Sequence, residues 1–86
     1  MKAKKIRAVV GKKAEILLIK TQVIALDSAL KLSGIAGTGG TAKIMIQSGD
    51  VKVNGEICEK RSKKLKSGDI FSFENKRFEV RTHEGE

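Results

Sequence analysis

The spacing of apolar residues changes near residue 50, and this change restricts the chain to folds that combine helices with strands. Before it, apolar and small side chains recur at the i, i+3, i+4 and i+7 positions of a helix face, at Leu26, Ala29, Leu30 and Ser33. After it, Val51 and Val53 alternate with polar neighbours, which is the two-residue period of a half-buried strand. Because 86 residues suffice for only one domain, the pattern predicts a single small α+β domain.

In the first half of the chain, the sequence predicts one strand followed by two short helices. Glu15–Ile19 is a short run of apolar, partly β-branched residues, as is typical of a strand. The first helix ends at Gly34, since glycine readily adopts the left-handed conformation that follows many helices. The glycine-rich residues 37–41 lead into a second helix of about eight to ten residues, which Gly49 ends.

In the second half, turn signals separate short strands. The pair Asn54-Gly55 predicts a tight hairpin, because both residues tolerate a positive φ. The remaining elements follow in chain order: a return strand at residues 56–58, a basic crossing at 60–66, a turn at 67–69, and strands at 70–73 and 78–81.

Charge and pattern divide the chain into three parts. Residues 1–14 form a basic arm with six lysines and arginines and no acid. Within it, residues 6–10 fit either a strand or a loose segment, and the arm has the composition to order on binding a partner. Residues 15–81 hold the predicted elements as one domain, and residues 82–86 form a short tail.

The composition restricts the classes of function. A formal net charge of +8 indicates a polyanionic partner. With three phenylalanines and no Trp or Tyr, the chain has too few rings for a platform that stacks bases. The single histidine, His83, falls in the tail, and the single cysteine, Cys58, has no second cysteine for a disulfide or a zinc site. We expect a cytoplasmic protein without signal peptide, membrane span, metal or cofactor.

The glycine-rich loop invites comparison with a phosphate-binding loop. Gly34 and Gly39 have the separation of the nucleotide-binding motif, but Gly40 stands where that motif needs a lysine. A weaker prediction remains, in which free amides of residues 39–42 and the charge of Lys43 bind an anion at the start of the helix. The alternative is that the glycines only allow two helices to turn and pack closely.

A basic stretch is the second candidate site. Residues 43–66 contain seven lysines and arginines against three acids. Such a run is often only a solvated face, but its cations fall on the polar sides of successive elements, where one surface can collect them and contact phosphates. Enzymatic activity is not expected, because Asp27, Asp50 and Asp69 occur where helix capping and turn formation explain them.

These motifs together resemble the S4 RNA-binding domain, above all its stand-alone branch of small bacterial proteins. The resemblance covers about residues 15–80 and consists of four pieces: Leu-x-x-x-Leu-Lys-Leu at 26–32, Gly-Gly-x-Ala-Lys at 39–43, Val-x-Val-Asn-Gly at 51–55 and Gly-Asp at 68–69. It implies a two-helix motif packed on a small curved antiparallel sheet with β-hairpins. It also implies RNA held across the helices and the adjacent hairpin.

The resemblance implies roles for particular residues. Lys31 and Lys43 belong to the contact face, Lys52 and Asn54 match the basic strand and its turn, and Arg61 matches the basic residue after the hairpin. Many members of the family begin the second helix with Ser-Arg, whereas this chain has Gly39-Gly40 there.

The resulting hypothesis is a non-catalytic RNA-binding module for structured RNA, either ribosomal RNA or another RNA of the ribosome. The expected RNA-binding residues are Lys31, Gly39, Gly40, Thr41, Lys43, Lys52, Asn54, Lys60, Arg61, Lys63 and Lys64. Lysines and arginines would bind phosphates, and Asn54 would position the hairpin. We expect a monomer with no small-molecule substrate and no membrane partner. The alternative is a protein-interaction adaptor on the same fold, with weak or no RNA affinity.

Overall fold

A computed structural model describes residues 14–82. The elements follow in chain order: β1 Glu15–Ile19, β2 Val23–Ala25, α1 Leu26–Leu32, α2 Gly39–Gln47, β3 Val51–Val53, β4 Glu56–Ile57, β5 Lys64–Lys66, β6 Ile70–Phe73 and β7 Lys76–Thr82. The predicted basic arm, apart from Ala14, lies outside the described residues, and so does the predicted tail beyond Thr82, which is the last residue of β7.

Both helices end where glycine follows, as the sequence predicted. Gly34 has φ +87° just after α1, and Gly49 has φ +81° just after α2. These left-handed conformations are the ones that end helices and that glycine adopts without steric cost. At the start of α2, the Thr38 hydroxyl oxygen accepts a hydrogen bond from the Thr41 amide at 3.1 Å, which is the usual N-cap arrangement.

Within residues 14–82, seven strands form two sheets, which with the two helices confirms the α+β class. Five strands lie in the order β1-β7-β6-β3-β4, and β2 pairs with β5 in a separate two-stranded ribbon. The β3–β4 hairpin turns at Asn54 and Gly55, with φ values of +52° and +89°, as that pair of residues predicted. The β6–β7 hairpin turns at Glu74 and Asn75, of which only Glu74 has a positive φ, +58°.

Two pairings were not expected from the sequence, one because it is parallel and one because it involves strands that were not predicted. The edge strand β1 pairs with β7 in parallel, with Leu17 opposite Val80. These strands come from opposite ends of the domain, so no tight turn dictates their relative direction. The basic crossing at residues 60–66 also contains a strand, β5, in which Leu65 lies opposite Ile24 of β2. A three-residue Lys-Leu-Lys segment is too short for its alternation to be recognised in advance.

The core lies between the helix pair and one face of the five-stranded sheet. The largest fully buried side chains are Leu26 and Leu30 from α1, Ile46 from α2, Val51, Leu65, Phe71 and Val80. Phe71 stacks on the half-buried Phe78, with ring centroids 5.6 Å apart, and Phe73 is also half-buried. The phenylalanines therefore support the core and do not form a platform for bases.

Candidate nucleic-acid interface

The basic segment after the hairpin closes over the start of α1. The amides of Leu26 and Asp27 donate to the carbonyl oxygens of Lys63 and Arg61, at 2.8 and 3.2 Å. These carbonyls replace a side-chain cap, since the N-cap residue, Ala25, has none. A turn, in which the Lys63 amide donates to the Lys60 carbonyl at 3.1 Å, shapes the segment. Backbone hydrogen bonds thus hold Arg61 and Lys63 beside the first turn of α1.

Lys31, on α1, lies close to the start of α2. It lies one helical turn after Asp27 and is exposed. Its Cδ atom is 3.9 Å from the position that a Cβ atom would take at Gly39. Lys43 follows Gly39 by one turn of α2 and is also exposed. Lys31, Gly39, Gly40, Lys43, Arg61 and Lys63 therefore form a surface that runs across both helices, which we call the α1–α2 basic surface.

The start of α2 has two backbone amides available to a ligand. The Thr41 amide donates to the Thr38 hydroxyl, and the Ala42 amide donates to the Thr38 carbonyl at 3.0 Å. The Gly39 and Gly40 amides have no acceptor among residues 14–82. Of the four amides that the sequence predicted to be free for an anion, two therefore remain free. Both lie at the positive end of the helix dipole. The Thr41 hydroxyl is itself hydrogen-bonded to the Thr38 hydroxyl at 3.1 Å.

Close packing does not require glycine at these two positions. Neither residue has a positive φ. A Cβ atom at either one would have its nearest non-neighbouring heavy atom 3.9 Å away, which is an ordinary van der Waals contact. The absence of side chains at Gly39 and Gly40 instead leaves the backbone accessible, as in loops where backbone amides approach a phosphate.

The side chain of Asn54 is exposed, but its polar atoms form hydrogen bonds with other residues of the protein. Its side-chain oxygen accepts from the Ile70 amide at 2.9 Å, and its Nδ2 donates to Asp69 Oδ1 at 3.2 Å. The second carboxylate oxygen of Asp69 accepts from the Lys66 amide at 2.9 Å. These contacts suit the positioning role expected for Asn54, because they join the β3–β4 turn to the turn before β6.

The surroundings of Asp69 stabilise its charged form. Partial burial raises the pKa of Asp69, but the hydrogen bonds from the Lys66 amide and Asn54 lower it. The positive charges of Lys66 and Lys63 lower it further, so the pKa of Asp69 lies below its ordinary value.

The remaining predicted lysines lie in different places. Lys52 is exposed on β3 between the buried Val51 and Val53, so it lies on the sheet face opposite the helices. Lys64 is exposed on β5 opposite Ala25. Lys60 is exposed at the turn that shapes the basic segment. Lys60 therefore lies next to the α1–α2 basic surface, because it directly precedes Arg61 in the chain. Lys52 lies away from that surface.

The cations of this surface are not engaged in salt bridges with the described acids. Within residues 14–82, none of Lys31, Lys43, Lys60, Arg61 and Lys63 forms a salt bridge with a described carboxylate. The salt bridge from Arg81 Nε to Glu79 Oε2, at 2.9 Å, lies on β7 and is well exposed. Exposed cations without acidic partners attract anions from solution.

Sequence reasoning missed the contacts that assemble this surface. The capping of α1 by two carbonyl groups leaves no residue pattern, because every residue type has a carbonyl. Pairing of β2 with β5 holds the same segment in place, and in its central pair Leu65 is fully buried and Ile24 half-buried. The available signal was Asp27 in the first turn of α1. An acidic residue there indicates a helix start, whose free amides attract hydrogen-bond acceptors such as carbonyl groups.

A helix pair with an open, basic N-terminus on a small mixed sheet defines a class of binding module. The family model described as S4 domain matches residues 17–81, and the chain belongs to this family, as its motifs predicted. A relative from Bacillus subtilis (strain 168), named probable ribosome maturation protein RlbA, is 38% identical over 56 residues. The match covers 65% of this chain and 79% of that protein.

Neither helix found in residues 14–82 has the length and apolar character needed to cross a bilayer.

Proposed function

We propose that this protein is a non-catalytic RNA-binding module that binds structured RNA, either ribosomal RNA or RNA in an assembling ribosomal subunit. The observation that carries the proposal is the α1–α2 basic surface, which combines exposed cations that form no salt bridge within residues 14–82 with two open backbone amides. Membership of the S4 domain family supports an RNA partner. The name of the Bacillus subtilis relative, a probable ribosome maturation protein, supports the ribosome as the place of action.

The geometry suits recognition of the RNA backbone. The Gly39 and Gly40 amides, with Lys31 and Lys43 beside them, would bind one phosphate at the start of α2. Arg61 and Lys63 would bind phosphates further along α1. Recognition of this kind depends on shape, because the deep and narrow major groove of an RNA helix is closed to side chains. The surface is built within one chain, so a monomer suffices, and a ribosomal partner would place the protein in the cytoplasm.

The proposal can be tested by measuring binding to ribosomal RNA fragments across a series of salt concentrations. Four to six phosphate contacts give a log–log slope of about −3 to −5. The double variant K43E/R61E should bind more weakly and flatten the slope by about 2, since each lost phosphate contact changes it by about 1.

A matched control separates local contacts from net charge. The double variant K20E/K76E changes the charge by the same amount at two exposed lysines outside the α1–α2 basic surface. It should retain most of the slope. If the wild type binds RNA no better than a neutral polymer at low salt, the RNA-binding proposal fails and the adaptor alternative takes its place.

A further inference from the structure

A shallow hollow lies on the outer side of α1, next to the α1–α2 basic surface. Ser28, Lys31 and Leu32 line it from one face of the helix, and Ile24 lines it from β2. Leu32 is 57% exposed, so its side chain offers apolar surface to a ligand. The hollow is therefore an apolar site that the fold does not cover with any of residues 14–82.

The groups around the hollow combine apolar walls with hydrogen-bond donors. Ile24 and Leu32 supply aliphatic surface. The Ser28 hydroxyl makes no hydrogen bond to the described part of the chain, and the Lys31 ammonium forms no salt bridge there. No carboxylate lines the hollow. A ligand that fits has one flat apolar surface, an edge with hydrogen-bond acceptors and a negative charge nearby.

We infer that this hollow holds a single unpaired nucleobase of the RNA, an inference that rests on the proposed function. Lys31 belongs to both sites, so a strand whose phosphate it binds would carry a base directly over Ile24 and Leu32. The base would place its face on the aliphatic walls and its acceptors toward Ser28 and Lys31. The positive charge of Lys31 favours a nucleotide over an apolar peptide segment.

This site would make the protein selective for a particular RNA architecture. A base within a continuous double helix is stacked and paired, and it cannot enter the hollow. A bulge or loop beside a helix offers an unstacked base together with the phosphates that the basic surface needs. The RNA partner would therefore contain a helix interrupted by at least one unpaired nucleotide.

The inference can be tested with two RNA hairpins that share the same paired stem, one of which has a single bulged adenosine. The wild-type protein should bind the bulged hairpin about fivefold more tightly, as expected when one face of a base covers the aliphatic surface of the hollow. Leu32→Ser should abolish this preference and leave the affinity for the fully paired hairpin unchanged. Leu18→Ser is the matched control, because Leu18 is 56% exposed on β1, outside the hollow.

A second measurement follows the base directly. With 2-aminopurine at the bulge, wild-type protein should protect the base from quenching by acrylamide, and Leu32→Ser should not. Equal affinity of the wild type for the two hairpins, or a preference that survives in Leu32→Ser, would overturn the inference and leave the proposed function intact. Failure to bind either hairpin at low salt would overturn the proposed function as well.

Discussion

The β3–β4 turn and the start of α2 are both polar regions, but their hydrogen-bonding groups are arranged in opposite ways. At the turn, Asn54 donates to Asp69 and accepts from Ile70, so its side chain is satisfied inside the protein. At the start of α2, the Gly39 and Gly40 amides have no acceptor among residues 14–82. The turn therefore joins strands, whereas the helix start has donors left for a ligand. Asn54 and the two glycines all belong to the motifs that the chain shares with its family, yet they have different physical roles.

The largest effect that would test this difference is expected at the turn. Asn54→Ala removes two side-chain hydrogen bonds, each contributing about 1 kcal/mol, and places alanine in a left-handed conformation that costs it about 1 kcal/mol. The free energy of unfolding, measured with urea, should fall by about 2–3 kcal/mol. RNA affinity of the folded variant should be unchanged. Asn75→Ala, the same replacement in the β6–β7 turn, should change stability by less than about 0.5 kcal/mol, and an equal loss in both variants would contradict the role given to Asn54.

The next largest effect is expected at the start of α2, where a substitution should lower RNA affinity without lowering stability. Gly40→Ala should leave the free energy of unfolding unchanged or raise it by up to about 1 kcal/mol, because alanine favours the helix. RNA affinity should fall about tenfold, since the added methyl group obstructs a phosphate at the open amides and a hydrogen bond to a charged group contributes about 1.5 kcal/mol or more.

Gly37→Ala supplies the control for this variant. Gly37 precedes the cap of α2, and a Cβ atom there would have no neighbour within 4 Å. This change should alter neither stability nor RNA affinity. A loss of stability in Gly40→Ala would instead show that its glycine serves packing, and the distinction between the two regions would then fail.

The smallest effect is a dependence of stability on pH at the turn. Because the pKa of Asp69 is lower in the folded protein than in the unfolded chain, its charged form stabilises the fold above the ordinary carboxyl range. That contribution is lost as the pH falls below about 4 and through the lowered pKa. The stability difference between the wild type and Asp69→Asn should therefore shrink as the pH is lowered from 6 to 3, as urea unfolding can show. A difference that stays constant would mean that Asp69 acts only as a neutral hydrogen-bond partner.

Much of the fold was predictable because the signals were local. Asn54-Gly55 requires positive φ at both residues, and the alternation of Val51 and Val53 determines which side chains face the core. Gly34 and Gly49 end the helices for the same conformational reason. The parallel pairing of β1 with β7 was not predictable, since it joins segments with no connecting turn.

The candidate site was predictable in composition but not in arrangement. The basic stretch at residues 43–66 identified Lys43 and Arg61, and the family resemblance added Lys31. Lys52 has the same charge, yet it lies on the sheet face opposite the helices, and that depends on which face the helices cover. The involvement of Thr41 and Ala42 in capping α2 likewise reduced the available amides from four to two.

The parallel contact between β1 and β7 has a consequence for how the domain is made. Glu15 lies opposite Phe78, so this contact closes a loop of about sixty residues, and closing such a loop costs more entropy than forming either hairpin. Contacts of this range slow folding, so we expect β1 to dock late, onto a helix pair and hairpins that have already formed. On a ribosome synthesising this protein, β1 would emerge first and remain without its partner strand until β7 has left the exit tunnel. The nascent chain therefore cannot complete its own sheet before nearly all of the domain has been translated.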